Sequence, residues 1–301
     1  MIAFIDTEVS IQSGKIVDYG AVRDNGATLH THNAAEFDSF VSGCDTWCGH
    51  NIVRHDLNYI NKSVATGHII IDTLYLSPLL FPKKPYHHLV KDDKLQTDEL
   101  NNPVNDAKKA CELLHDELAA WDSLDPKRQS IYYHLLKDTK EFGGFFEYLK
   151  NDYSKRKQLI FAEVRESIAS LILAEYSGKL CQNTNIELLA SQYPIELAYS
   201  LAVIGSDDLM SMTPAWVMKT YPKVANMMNH LRNRPCGRCE YCRQRLDAHV
   251  GLKEFFGYDR FRMFEGVPMQ QQAVESAIRG ESLLTIFPTG GGKSLTFQLP
   301  A

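Results

Sequence analysis

The sequence predicts an α/β protein assembled from four segments with different patterns. Residues 1–120 alternate short β-branched strands with amphipathic stretches, which is typical of a sheet covered by helices. Residues 121–230 lack strand alternation and predict a mostly helical connector. Residues 231–250 are rich in Cys and Arg, and residues 251–301 return to a strand, a glycine-rich turn and a helix. We therefore expect two α/β portions joined by helices.

Local signals predict the strands of residues 1–120. Ile2–Ile5 is a short apolar run that ends at Asp6. Residues 15–23 and 27–31 predict a hairpin, because the turn sequence Asp24-Asn25-Gly26 lies between them. Two further apolar runs predict strands at Trp47-Cys48 and Ile69–Ile71.

Helices are predicted around this sheet and throughout the connector. Asp72 is a suitable N-cap for a helix over Thr73–Leu80, and Pro103 suits the first turn of a longer one. The remaining predicted helices cover Asn51–Asn61, Arg128–Leu136, Phe142–Asn151, Leu159–Tyr176 and Ile186–Ile204. The connector contains no catalytic constellation, so we expect it to be structural.

Composition excludes several classes of protein. The 301 residues are 44% hydrophobic and 23% charged, as in an ordinary globular chain. No apolar run reaches the roughly 18 residues of a membrane helix. The start, MIAFIDTEVS, has no basic region and carries acids where a signal peptide is apolar, so we expect a cytoplasmic protein. Seven cysteines, an odd number, favour free thiols plus a metal site over a disulfide framework.

Charge is distributed unevenly along the chain. The net charge of −5 argues against a uniformly basic nucleic-acid binder. Residues 1–120 carry 17 acidic and 10 basic side chains, whereas the remainder is slightly basic. An acidic segment can still act on nucleic acid if divalent metals neutralise its carboxylates.

Acidic residues in the first segment predict a divalent-metal site. Asp6 and Glu8 are two residues apart on a predicted strand, so their side chains face the same side and repel unless a cation lies between them. Carboxylates are ligands for Mg²⁺ or Mn²⁺. Asp56 and Asp106 are further candidates, and a pair of metals can promote displacement at phosphorus.

Four motifs in order resemble the DEDD superfamily of 3′→5′ exonucleases. They are FIDTE, GHNIVRHDLNYI, IIDTLYLSPLL and NPVNDAKKACELL, and the resemblance extends over about residues 1–120. The resemblance implies an RNase H-like fold and an exonuclease in which two metal ions are held by Asp6, Glu8, Asp56 and Asp106.

The sequence departs from that family at the catalytic base. Asn101 stands where the family has its His, and Asn102 stands where a variant has Tyr. Asn cannot accept a proton as a general base. His87 and His88 could substitute, although packing or surface exposure is the simpler role for them. Two hypotheses follow, an exonuclease with altered proton transfer around Asn101 and a nucleic-acid-binding module that does not cut.

The Cys-rich segment predicts a second metal site. Cys236, Cys239 and Cys242 have the Cys-x2-Cys spacing that lets thiolates converge on one tetrahedral ion. His249 is the first choice for a fourth ligand, and Cys181 and His230 are the alternatives. We prefer zinc because the run lacks a clear fourth cysteine, and iron–sulfur ligation stays open. The arginines around it predict either a solvated surface or a phosphate-contact patch: Arg232, Arg234, Arg238, Arg243 and Arg245.

The last segment carries a glycine-rich loop that predicts phosphate binding. Leu283–Phe287 is a predicted strand, and residues 288–294 follow as PTGGGKS before a helix. In this pattern Lys293 reaches the β- and γ-phosphates and Ser294 ligates Mg²⁺. A strict phosphate-loop pattern asks for Gly where Phe287 stands, so the motif is not the generic one.

This segment closely resembles the opening of RecQ-type superfamily-two helicases. The resemblance rests on LKEFFGYDRFR, Gln270 and SLLTIFPTGGGKSLTFQLPA, and it implies ATP as ligand. Gln270 matches the adenine-reading glutamine, and the linker before it, MFEGVPM, is longer than usual. The implied ATP-binding residues are Gln270, Thr289, Gly290, Gly291, Gly292, Lys293 and Ser294.

The combined interpretation is a metal-dependent 3′→5′ exonuclease linked to a RecQ-type helicase. No Asp-Glu-x-His segment follows the glycine-rich loop, so we expect ATP hydrolysis and unwinding only from a longer chain. The resemblance implies DNA, as single strands or 3′ ends, with RNA left open. We expect no membrane partner, and a nucleotide-sensing switch is a third hypothesis. The sequence leaves the oligomeric state open.

Overall fold

The computed structural model describes residues 1–89, 102–152, 167–206 and 212–301. Asn101 and the first part of the predicted Leu159–Tyr176 helix lie outside these ranges. Within them, a five-stranded mixed sheet has the order β3-β2-β1-β4-β5. Strands β1, β2 and β3 are antiparallel neighbours, and β4 and β5 run parallel to β1. The strands are β1 (Ile2–Val9), β2 (Ile16–Arg23), β3 (Thr28–Thr31), β4 (Thr46–Gly49) and β5 (Ile69–Asp72).

Helices surround the sheet and make up most of the rest of the described chain. The helices before the Cys-rich segment are α1 (Ala34–Val41), α2 (Lys62–Ala65), α3 (Thr73–Leu80), α4 (Pro103–Ser123), α5 (Pro126–Leu136), α6 (Gly143–Asp152), α7 (Ile168–Glu175), α8 (Ile186–Gln192), α9 (Pro194–Ile204), α10 (Ala215–Thr220) and α11 (Lys223–Met228). The later helices are α12 (Glu240–Arg245), α13 (Ala248–Phe256), α14 (Met269–Ile278) and α15 (Lys293–Gln298). Within the described ranges, no helix is both long and apolar enough to cross a membrane.

The predicted strands of the sheet, the hairpin and the helices starting at Thr73 and Pro103 are confirmed, but the helix predicted over Asn51–Asn61 is wrong. The segment forms turns and one 3₁₀ turn, because its backbone is tied to a side chain outside it. The backbone N–H groups of Asn51 and Val53 donate to the Asp72 carboxylate at 2.8 and 3.0 Å. Asn51 also adopts a left-handed φ of 71°, which stops a helix from starting there.

The helix predicted over Ile186–Ile204 is interrupted. Helix α8 ends at Gln192, and α9 begins at Pro194. Proline has no N–H to donate and keeps the preceding residue out of the helical region, so Tyr193 takes a φ of −141°. The result is two short helices in place of one long one.

The strand predicted at Leu283–Phe287 does not form in this structure. Residues 281–288 carry no regular secondary structure, and within the described ranges no other strand pairs with them. The side chains of Leu284 and Ile286 are accordingly 88% and 79% exposed. β-branched composition sets a preference for extended backbone, but a strand also needs a neighbour to accept its hydrogen bonds.

One continuous core joins the sheet to the connector helices. It runs from Ile2 to Leu231 and includes the fully buried indoles of Trp47 and Trp121. The Tyr199 hydroxyl on α9 donates to the backbone oxygen of Tyr75 on α3 at 2.9 Å. A second, smaller core joins the end of the Cys-rich segment to the last segment and contains Ala248, Leu252, Phe261, Val274 and Leu295.

Candidate functional site

Three carboxylates from distant parts of the sequence meet at one end of strand β1. Asp6 and Glu8 project from β1, and Asp106 lies in the first turn of α4. Their carboxylate oxygens lie within 4.8 Å of one another. All three are partly buried, so solvent screens their repulsion incompletely. We call these three residues the carboxylate site.

Asp56, the fourth predicted acid, is anchored beside this group and is not a member of it. Its Oδ1 accepts hydrogen bonds from the backbone N–H of Thr7 at 2.9 Å and from the Thr7 hydroxyl at 2.7 Å. Thr7 stands between Asp6 and Glu8 on the strand. The structure therefore gathers three of the four predicted acids and attaches the fourth to the strand that carries two of them.

A glycine on the neighbouring strand makes the approach of α4 possible. Gly20 pairs with Asp6 across β1 and β2. A Cβ built at Gly20 would overlap the backbone of Pro103 and Val104 at the start of α4. The helix can rest on the sheet only because position 20 has no side chain, and that contact brings Asp106 to Asp6 and Glu8.

The structure describes most of the predicted candidates for a catalytic base. Asn102 is the N-cap of α4, where its side-chain oxygen accepts from the Val104 N–H at 3.0 Å. His87 is buried with its Nδ1 2.8 Å from the Ser77 hydroxyl, and burial lowers the pKa of His87 to about 4. His50 is also internal, 2.9 Å from the Thr73 hydroxyl, and burial lowers the pKa of His50 to about 3. His87 therefore has the packing role that the sequence favoured.

His55 lies beside Asp56 and was not among the residues selected from the sequence. Its Nδ1 lies 3.7 Å from Asp56 Oδ1, and the side chain is 43% exposed. Hydrogen bonding to Asp56 raises the pKa of His55, and the Glu8 charge adds to this effect. The signal that could have found it is its position next to Asp56 in the sequence.

Two further histidines and an acid were also missed. Asp18 on β2 lies directly across from Glu8, so the two side chains share a face of the sheet. Its carboxylate is 2.8 Å from His30 Nε2 and 3.4 Å from His32 Nδ1. The register of the predicted hairpin alone would have placed Asp18 close to His30 and His32.

The cysteine cluster assembles around a fourth cysteine from the connector. The sulfur atoms of Cys181, Cys236, Cys239 and Cys242 all lie within 4.8 Å of one another. The segment is held in place by the backbone N–H of Cys181, which donates to the Leu231 carbonyl at 2.7 Å. Cys181 is one of the two alternatives considered above.

The structure does not bring His249, the first choice for the fourth ligand, to the sulfur group, and Cys181 lies there instead. The His249 ring packs edge-on against Phe261, with centroids 5.2 Å apart, and is not in the sulfur group. His230 is not in the group either, and its backbone oxygen accepts from the Thr184 hydroxyl at 2.9 Å. Cys181 was hard to select from the sequence because it lies 58 residues from Cys239.

Sulfur spacing in the cluster matches a single tetrahedral ion. Four thiolates bound to one zinc at about 2.3 Å lie about 3.8 Å from each other. The Cys181 and Cys239 sulfurs are 3.9 Å apart. In a four-iron cluster each cysteine binds a different iron, so the sulfurs are spaced more widely. The preference for zinc now rests on this distance and no longer on a missing fourth cysteine.

Backbone N–H groups favour the thiolate form of one cysteine in the cluster. The Cys236 sulfur accepts from the N–H groups of Cys239 at 3.4 Å and Arg238 at 3.5 Å. These hydrogen bonds lower the pKa of Cys236 to about 5. Burial raises the pKa values of Cys181 and Cys242. The thiols of Cys181 and Cys242 must therefore lose their protons when a cation enters.

The glycine-rich loop is folded, and Gln270 is joined to it. Gly290 and Gly292 have φ values of 75° and 74°, which other residues rarely adopt. The Gln270 amide donates to the Gly292 carbonyl at 3.1 Å and accepts from the Arg262 N–H at 2.9 Å. The Lys293 ammonium donates to the Phe287 carbonyl at 3.3 Å, across the loop.

The remaining predicted residues of this loop are also described. Thr289 and Ser294 are exposed, and Gly291 lies against the Pro288 carbonyl, which a Cβ would approach to 2.9 Å. The loop thus brings together all of the residues that the sequence pattern selected for phosphate binding.

Comparisons with known proteins reveal short similarities to RecQ-type helicases. The chain is 41% identical over 51 residues to an ATP-dependent DNA helicase Q5 of Rattus norvegicus, covering 17% of this chain and 5% of the relative. It is 45% identical over 49 residues to a probable ATP-dependent DNA helicase RecS of Bacillus subtilis, covering 16% of this chain and 9% of the relative. A putative ATP-dependent RNA helicase R290 of Acanthamoeba polyphaga mimivirus is 44% identical over 50 residues, which is 17% of this chain and 8% of the relative.

These matches relate part of the chain to ATP-dependent helicases of the RecQ type. The chain spans less than a tenth of the length of these relatives. No protein-family model matches the chain. No solved structure matches it either.

Proposed function

We propose that the chain contains a metal-dependent 3′→5′ exonuclease linked to a RecQ-type helicase segment. The observation that carries the nuclease proposal is the convergence of Asp6, Glu8 and Asp106 to within 4.8 Å. Carboxylates held this close together repel one another, and a divalent cation between them would relieve that repulsion. The strand order β3-β2-β1-β4-β5, with β1 central, is consistent with the RNase H-like fold that the resemblance implies.

The donor set fits hard divalent ions. Three carboxylates offer only oxygen ligands, which Mg²⁺ and Mn²⁺ prefer. When bound, two such ions supply the positive charge that stabilises the attacking and leaving oxygens at phosphorus. Asp6, Glu8 and Asp106 would hold these ions, and Asp56 keeps the intervening strand in place through Thr7.

The proposed reaction is hydrolysis of the terminal phosphodiester. The bond between phosphorus and the 3′ oxygen breaks, and water supplies a hydroxyl to the phosphate and a proton to the 3′ oxygen. Each cycle releases a nucleoside monophosphate. His55 is the titratable side chain beside Asp56 and Glu8, so it is suited to orient substrate near the carboxylates.

The last segment is proposed to bind ATP through its glycine-rich loop. Gly290, Gly291 and Gly292 allow backbone N–H groups to approach phosphates, with Lys293 and Ser294 at the start of α15. Gln270 would read the adenine, and its contact with Gly292 links that reading to the loop. ATP-driven unwinding is proposed only for a protein that supplies the rest of the motor.

Zinc is the proposed occupant of the cysteine cluster. The four sulfurs have the spacing of one tetrahedral zinc.

Nucleic acid is the proposed substrate. DNA is favoured because relatives similar to this chain are named DNA helicases. RNA is the alternative substrate, because another relative is named as an RNA helicase.

A binding module without nuclease activity is the second candidate. It is favoured by the structural roles of Asn102 and His87, neither of which is available to accept a proton. Single-stranded DNA labelled at its 5′ end, incubated with Mn²⁺, separates the two candidates. A ladder of shortened products supports the nuclease, and a shifted band without shortening supports the binder.

A matched pair of variants on one helix tests the carboxylate site. Asp106→Asn should reduce the cutting rate by about 100-fold or more, the scale for removing one charged group from a reacting centre. Asp116→Asn changes an exposed acid on the same helix and should cut normally. Equal rates for the two variants, or cutting that survives Asp6→Ala, would reject the proposed site.

A further inference from the structure

An open cleft of about 660 Å³ lies between the cysteine cluster, the connector and the last segment. Its walls include Asn229, Arg232 and Arg234 from the turn after α11, and Tyr241 and Arg245 from α12. Phe255 on α13 contributes an aromatic ring that is 67% exposed. We call this the arginine cleft. Its volume falls in the range of about 300–1,000 Å³ that is usual for ligand sites.

The charge of the arginine cleft is positive, because Arg232, Arg234 and Arg245 line it together with one acidic side chain, Asp247. In the described part of the chain, Arg232, Arg234 and Arg245 form no ion pair with a carboxylate. Asp247 also lines the cleft, but its carboxylate accepts from the N–H groups of His249 and Val250 as the N-cap of α13. Three guanidinium groups thus face one cleft without an acidic partner.

The cysteine cluster holds this wall in position. The Tyr241 hydroxyl donates to the Arg232 carbonyl at 3.1 Å, and the Cys242 sulfur lies 3.9 Å from the Arg234 carbonyl. The Arg234 N–H donates to the Asn229 carbonyl at 3.0 Å. Because the backbone on both sides of the arginines is fixed, less conformational entropy is lost when a ligand binds.

The structure separates the five arginines that the sequence groups together. Arg243 forms an ion pair with Glu240 at 2.9 Å and does not line the cleft, and Arg238 does not line it either. Sequence position therefore gave no way to choose among them, whereas the cleft selects Arg232, Arg234 and Arg245. Arg243 becomes a matched control with the same chemistry a few residues away.

We propose that the arginine cleft binds the sugar–phosphate backbone of a single nucleic-acid strand. Guanidinium groups bind phosphate oxygens in pairs of parallel hydrogen bonds, and several of them in one cleft suit a chain of phosphates. An exposed aromatic ring beside them offers a stacking surface for a base. The choice of ligand rests on the proposed nucleic-acid function, but the binding needs neither cutting nor ATP.

The test measures binding without turnover. Fluorescence anisotropy of a labelled oligonucleotide of about 12 thymidines is followed without added divalent metal or ATP, over a series of salt concentrations. The triple variant Arg232→Gln, Arg234→Gln, Arg245→Gln should bind at least tenfold more weakly at low salt. Its plot of log K against log salt should be shallower by about 0.7 for each lost phosphate contact. Arg243→Gln should change affinity by less than twofold.

Separate measurements establish that the triple variant is folded and that the result does not depend on the nuclease proposal. Zinc content and the thermal melt of the triple variant should equal those of the unchanged protein. Because binding is measured without divalent metal, a failed nuclease proposal leaves this result intact. The inference is overturned if the salt slope of a folded triple variant is unchanged, or if Arg243→Gln weakens binding equally. It is also overturned if free ATP displaces the strand from the unchanged protein but not from the triple variant, because the cleft would then be a nucleotide site.

Discussion

At the scale of single residues, the buried acids near the sheet differ in whether hydrogen bonds compensate the burial of their carboxyl groups. Asp72 accepts three backbone hydrogen bonds, from Asn51, Val53 and Leu74, and burial still raises the pKa of Asp72 to about 7. Glu117 on α4 is fully buried, and neither of its carboxylate oxygens has a hydrogen-bond partner. Burial, reinforced by the Asp72 charge, raises the pKa of Glu117 far above its ordinary value. Burial therefore favours the neutral form of Glu117 in the folded protein.

The stability cost of Glu117 should depend on pH. Below about pH 4.3 the carboxyl is neutral in both states, and above it only the unfolded chain ionises, so stability falls as pH rises. Glu117→Met removes this titration and should raise the free energy of unfolding by about 1–3 kcal/mol at pH 8 but less at pH 5. Urea unfolding at both pH values measures the difference. Asp116→Asn, on the exposed side of α4, should change little, and a gain that is equal at both pH values would contradict the argument.

Asn101 is a second prediction at this scale, and it comes from the sequence. If Asn101 occupies the base position of the exonuclease family, Asn101→His should preserve or raise the rate of DNA trimming, because imidazole can accept a proton and an amide cannot. The assay is product release from single-stranded DNA with Mn²⁺. Asn105→His changes an exposed residue in the first turn of α4 that is not a member of the carboxylate site, and it is the control. A large loss of rate in a folded Asn101→His protein would remove Asn101 from that role.

At the scale of elements, the decisive contact is that between α4 and strand β2. Local patterning predicted both elements, since Pro103 starts the helix and the Asp24-Asn25-Gly26 turn joins the hairpin. Their close approach depends on Gly20, whose missing side chain leaves room for the backbone of Pro103 and Val104. The carboxylate site is a consequence of this packing, because Asp106 is carried by that end of the helix.

Gly20→Ala should therefore disturb the carboxylate site without touching a carboxylate. The new methyl group overlaps backbone atoms that cannot rotate away, so the start of α4 must move. We expect a loss of about 1–3 kcal/mol in stability together with a fall in cutting rate. Gly43→Ala is the matched control, because the nearest atom to its Cβ is an Arg23 nitrogen at 4.0 Å. Unfolding curves and cutting rates that are equal for the two variants would rule out this packing argument.

At the scale of the whole molecule, the chain brings residues from separate segments into two shared sites. The connector, predicted to be structural, supplies Cys181 to the cysteine cluster. It also packs against the sheet, with the Tyr199 hydroxyl bonded to the Tyr75 carbonyl. The turn after α11, the Cys-rich segment and the last segment together line the arginine cleft. These sites exist only when the segments are assembled.

Metal retention should distinguish the two candidates for the fourth zinc ligand. Cys181→Ser should lose bound zinc during dialysis against a mild chelator, because a hydroxyl is a poor substitute for a thiolate. His249→Gln should keep it, since the His249 ring packs on Phe261 away from the sulfurs. Metal analysis by mass spectrometry gives the stoichiometry. Zinc that is lost from His249→Gln and kept by Cys181→Ser would reverse the assignment.

Short-range patterns were enough to select many of the residues that the structure brings together. The same-face spacing of Asp6 and Glu8, the Cys-x2-Cys repeats and the glycine-rich loop could all be predicted, because each depends on neighbours a few residues apart. The same reasoning failed at Asn51–Asn61 and Leu283–Phe287. There the backbone conformation depends on a distant partner, the Asp72 carboxylate in the first case and a pairing strand in the second.

The sequence by itself therefore determined which side chains are candidate ligands for metal, phosphate and nucleotide, because residue type and local spacing decide which ligands a segment can bind. Only the tertiary structure decided which of them meet. It selected Cys181 over His249, tied Asp56 to Thr7, and picked Arg232, Arg234 and Arg245 from five similar candidates. The physical reason is that these encounters join residues far apart along the chain, and packing of the intervening helices and strands sets the distances between them.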